Sequence, residues 1–102
     1  MPALDLDPRH LRLLLDLLAE NVPGTEVWAY GSRVNHTAHE TSDLDLVIRN
    51  PQQLEQPLSL HKLRDALADS NLPILVDVLD WARIPEDFRR EIQSQAVAPL
   101  TR

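Results

Sequence analysis

The stretch YGSRVNHTAHETSDLDLVI, residues 30–48, holds the side chains best suited to chemistry: Asp43 and Asp45 stand two apart at the head of an apolar run, separated from Gly31-Ser32 by ten residues. In a strand, residues two apart point to one side with about 6.5–7 Å between Cα atoms. Asp43, Asp45 and Val47 therefore line one face while Leu44, Leu46 and Ile48 line the other. Two unpaired carboxylates on a partly covered sheet repel and lose solvation, a cost relieved by a cation, a basic side chain or protonation. A third carboxylate, Asp77, lies in the apolar run ILVDVLD, where an ionised group is hard to justify unless it joins the same charged site. Three hard oxygen ligands suit Mg²⁺, and a third carboxylate allows a pair of ions. By itself a D-x-D pair also describes the solvated side of an edge strand. What points beyond that is Gly31 at a strand end, where the missing Cβ lets backbone N–H groups approach a phosphate. The Ser32 hydroxyl adds a donor, and Arg33 beside it is a candidate phosphate partner or a solvated surface group.

The elements that must position these residues follow from punctuation and periodicity. Asp7-Pro8 reads as an N-cap with proline at the first helical position, predicting a helix over 8–21 that ends at NVPG. TEVWAYG (25–31) and SDLDLVI (42–48) read as strands separated by a polar loop, 32–41. RNPQQLEQP (49–57), with two prolines and no periodicity, reads as a surface excursion. Leu60, Leu63 and Leu67 then fall on one helical stripe, ILVDVLDW (74–81) is a nearly continuous apolar strand, and Ile84, Phe88 and Ile92 recur four apart behind Pro85. AVAPL is a candidate short terminal strand. The order α-β-β-α-β-α predicts a single α/β (α+β) domain over residues 1–102, a small sheet with helices against one or both faces.

The whole chain narrows the function classes. With 102 residues there is room for one core and no dedicated second domain. A net charge of −6 argues against a broad nucleic-acid footprint, which needs a basic face, and fits a basic protein partner or a metal-masked anion. No cysteine is present, which excludes disulfides and thiolate metal sites. Neither a signal peptide nor an apolar run of about 18 residues is visible, so the expectation is a cytoplasmic protein that does not engage a membrane.

Other residues carry less. Asp80 lies three after Asp77, faces the opposite side and reads as a strand-end cap. His36, His39 and Glu40 have no closed zinc spacing and read as solvated loop groups. Trp28 and Trp81 read as core or core-edge side chains, since no basic stripe accompanies them. In the first helix Leu11, Leu14, Leu15 and Leu18 form the inward stripe, whereas Leu13 and Leu17 project roughly opposite, a second apolar face covered either by the domain itself or by a partner.

Taken together, GS, ten residues, DLD and a later strand aspartate resemble the DNA polymerase beta-type nucleotidyltransferase superfamily. More closely, YGSRVNHTAHETSDLDLVI and LPILVDVLDWARIPEDFRREI resemble the minimal nucleotidyltransferase (MNT) domains, which pair with HEPN-domain partners. The resemblance implies a nucleotidyltransferase fold, a mixed sheet flanked by helices. It implies Mg²⁺, expected as two ions, on Asp43, Asp45 and Asp77, and a nucleoside triphosphate, expected to be ATP, with its phosphates near Gly31 and Ser32. It also implies an antitoxin that moves AMP onto a tyrosine of a HEPN RNase toxin. Two rivals stay open: a module that blocks the toxin by contact alone, and an enzyme with a small-molecule acceptor, for which so short a chain leaves little pocket. The pattern departs at Asn35-His36, where relatives carry a glycine, which predicts a different loop shape.

Overall fold

A computed structural model describes residues 4–34, 43–95 and 97–100. The first helix, α1 (Pro8–Asn21), begins where the sequence places it: Asp7 accepts a hydrogen bond from the Arg9 N–H, and Pro8, which lacks an N–H, occupies a position where none is needed. It is followed by β1 (Glu26–Tyr30), β2 (Leu44–Arg49), α2 (His61–Ala68), β3 (Val76–Asp80), a single 3-10 turn at Trp81–Arg83, α3 (Glu86–Ser94) and β4 (Ala98–Pro99). The terminal AVAPL run thus does form a short strand.

The sheet order is β3-β2-β1-β4, with β1 antiparallel to both β2 and β4, and β2 parallel to β3. Its two faces bury two clusters. Leu44, Leu46 and Ile48 of β2 are fully buried against Leu14 and Leu18 of α1 and Leu63 and Leu67 of α2. Each such side chain contributes about 1.5–3 kcal/mol of apolar burial. The opposite face packs Tyr30, Val47 and Leu79 against Trp81 and against Phe88 and Ile92 of α3. The domain is therefore three layers deep, helices on both faces of a mixed sheet. A one-residue slip of β2 would drive its carboxylates into the first cluster, so the apolar alternation fixes which way they point.

Two expectations need correction, both on β3. The strand predicted from residue 74 runs only over Val76–Asp80: Leu75 is 75% exposed, although its carbonyl still accepts the Leu44 N–H at 2.9 Å. Trp81 leaves the strand because the Asp80 side chain caps the 3-10 turn at its Ala82 N–H. Of the two covers open for Leu17, the domain itself supplies it: Leu17 packs against the main core beside Leu14 and Leu18. No helix among the described residues is long and apolar enough to cross a membrane.

Candidate active site

The site forms at one end of the sheet, where β1 stops and β2 starts. Gly31 terminates β1 with φ +83°, a left-handed conformation that side chains disfavour, and the Val34 N–H returns to the Gly31 carbonyl at 3.0 Å to close a turn over 31–34. A Cβ at Gly31 would lie 2.8 Å from Oδ2 of Asp45, so glycine is demanded twice, by backbone conformation and by the approach of the carboxylate.

Asp45 is the hub. Across the antiparallel pair its register partner is Tyr30; across the parallel pair it is Asp77. Directly opposed residues on neighbouring strands share a face at about 5 Å between Cα atoms. Asp43 stands one position before β2 and is exposed. Burial first, then the negative charges of Asp77 and Asp43, push the Asp45 carboxyl above the usual range. Burial likewise raises the Tyr30 phenol, to about 12, with Asp45, Asp77 and Glu91 of α3 adding to it. The Tyr30 ring is held edge-on to Phe88 at 6.3 Å. No Lys or Arg among the described residues makes an ion pair with Asp43, Asp45 or Asp77.

Acidic oxygens of this kind are chemically suited to a hard divalent cation. The donors are hard oxygens, and Asp43 and Asp77 are exposed to solvent. The described side chains do not close a cage: no three His, Cys, Asp or Glu groups converge to ligating distance. Asp45 and Asp77 are brought together by register, and Asp43 adds charge from the strand entrance. Ser32 is half-buried in the turn. Arg33 is buried, and its Nη1 donates to the Asp5 carbonyl at 2.9 Å. Sequence reading did not foresee Tyr30 or Glu91 beside the carboxylates; only the position of Tyr30 directly before Gly31 signalled it. Asn35-His36, His39 and Glu40 lie outside the described residues.

Asp80, three residues beyond Asp77, is on the other face and only 4% exposed. Its carboxylate accepts from Leu58 N–H at 2.8 Å and Ala82 N–H at 3.1 Å, and meets Arg83 Nε at 3.2 Å. It is the cap the sequence predicts. Trp28 and Trp81 form an edge-to-face pair at 5.7 Å under the Arg49 guanidinium, a structural cluster at the Glu26 and Arg49 end of β1 and β2.

A family model described as "Polymerase beta, Nucleotidyltransferase" matches residues 14–98, and the chain belongs to that family. Within it, the chain is 42% identical over 90 residues to the Haemophilus influenzae protein named "Probable protein adenylyltransferase MntA", covering 88% of this chain and 78% of that one. Its fold is similar to a solved structure described as the crystal structure of the toxin-antitoxin with AMP-PNP: TM-score 0.70, 23% identity, 88% of this chain and 71% of that one. The family and the fold implied by the sequence motifs are thereby borne out.

Proposed function

We propose that this chain is a Mg²⁺-dependent protein adenylyltransferase acting as an antitoxin, which transfers AMP from ATP to a tyrosine of a cognate HEPN RNase toxin. The observation that carries the reading is the register of Asp45 with Asp77, beside a glycine turn that no side chain fits. The printed name of the Haemophilus relative and the AMP-PNP in the toxin-antitoxin structure support the reaction class.

Asp43, Asp45 and Asp77 would hold two Mg²⁺ ions, which when bound neutralise triphosphate charge and orient the acceptor. Backbone N–H groups at Gly31 and Ser32 bind phosphate oxygens. Asp77, on the acceptor side, takes the proton of the tyrosine hydroxyl as its oxygen bonds to the α-phosphorus and the bond to pyrophosphate breaks. Phosphoryl-type transfer is chiefly positioning and charge stabilisation, and rigid adjacent strands supply both. A cytoplasmic location goes with this reading.

The test is intact mass of the co-expressed toxin after incubation with ATP and Mg²⁺. A gain of one AMP mapped to a tyrosine, absent with Asp43→Asn/Asp45→Asn, is expected. Silencing of the toxin with no mass change would instead make the chain an inhibitor by contact alone.

A further inference from the structure

We infer that Arg33 is a positioning residue that ties the nucleotide turn to the segment before α1, instead of gripping phosphate itself. This rests on the nucleotide-binding role proposed above for the Gly31-Ser32 turn. Two backbone-directed bonds join residues 28 apart in sequence: the Asp5 N–H donates to the Arg33 carbonyl at 2.7 Å, and Arg33 Nη1 donates to the Asp5 carbonyl at 2.9 Å. Arg33 is 7% exposed, and a side chain so enclosed, with Nη1 committed to a main-chain carbonyl, is better placed to hold the turn than to meet a ligand arriving from solvent. The other side of the tether is itself anchored: Leu4 and Leu6 pack on the main core, and Asp7 begins α1. Val34, next to Arg33, is 1% exposed. The turn that must hold Gly31 at positive φ is therefore pinned at Val34 by the core and at Arg33 by Asp5. Such pinning lowers the entropy lost when the turn orders around a phosphate.

The Asp5 side chain takes no part in either bond, which gives a discriminating pair of variants. Asp5→Pro deletes the N–H that Arg33 accepts, whereas Asp5→Ala keeps both backbone groups. Binding of AMP-PNP with Mg²⁺ is measured by calorimetry, and exchange of the Val34 amide by hydrogen exchange on the nucleotide-free protein. Expected results are about fivefold weaker AMP-PNP binding for Asp5→Pro and for Arg33→Ala, faster Val34 exchange in both, and wild-type behaviour for Asp5→Ala. Wild-type binding and exchange in Asp5→Pro, with weakened binding confined to Arg33→Ala, would overturn the inference and make Arg33 a direct phosphate ligand. Failure of the wild-type protein to bind AMP-PNP would overturn the nucleotide reading, and this role with it.

Discussion

The α-carbon of Gly31 lies against the carboxylate of Asp45, so closely that an added Cβ would stand 2.8 Å from Oδ2. With φ at +83° the same position also resists any side chain on conformational grounds. Gly31→Ala is expected to cost about 1–2 kcal/mol of stability and to lower AMP transfer about a hundredfold, because relief of the clash displaces Asp45. Thermal melting and label incorporation from α-labelled ATP check the two halves separately.

Asp45→Asn should melt a few degrees higher than the wild type at neutral pH without metal. Burial, Asp77 and Asp43 hold the Asp45 carboxyl above 3.8 in the folded protein, so the folded form binds that proton more tightly than the unfolded chain. Stability from this group is then lost as pH rises from 3.8 through the raised value, and the advantage of Asn closes again in acid. Mg²⁺ should raise the melting temperature of the wild type and leave the variant unmoved. A variant less stable than wild type across this range would contradict the charge repulsion.

The two aspartates of β3 should separate cleanly. Asp80→Ala strands the Leu58 and Ala82 N–H groups and is expected to lose about 2–4 kcal/mol by denaturant unfolding, with the folded fraction still active. Asp77→Asn, at an exposed position, should abolish transfer at unchanged stability.

Leu17→Glu should destabilise by about 2 kcal/mol or more, since it places a charge against the core, whereas Leu13→Glu, half-buried outside that cluster, should cost less. Urea unfolding of the two variants decides this, and any search for a partner face on α1 must use Leu13 alone.

Much of this was legible in the sequence because it is local. The alternation of Leu44, Leu46 and Ile48 against Asp43 and Asp45 announces a two-faced strand, and Asp7-Pro8 announces a helix start. The stripe of Leu60, Leu63 and Leu67 is buried as its spacing predicts. What was not legible is non-local. Nothing in residues 74–81 states that β3 runs parallel to β2 with Asp77 opposite Asp45, because register is set by the crossover and by burial on both faces. Which of its two possible covers Leu17 takes was not legible, because helical geometry gives relative angles, not which arc of α1 the sheet and α2 cover. The Asp5 and Arg33 tether uses main-chain groups, which carry no residue signature.

The most direct measurement is the anomalous difference map of crystals soaked with Mn²⁺ and AMP-PNP. A manganese peak is expected about 2.1 Å from carboxylate oxygens of both Asp45 and Asp77, with the nucleotide phosphates over the Gly31-Ser32 turn. Bound AMP-PNP elsewhere, with no metal between these two strands, would contradict it.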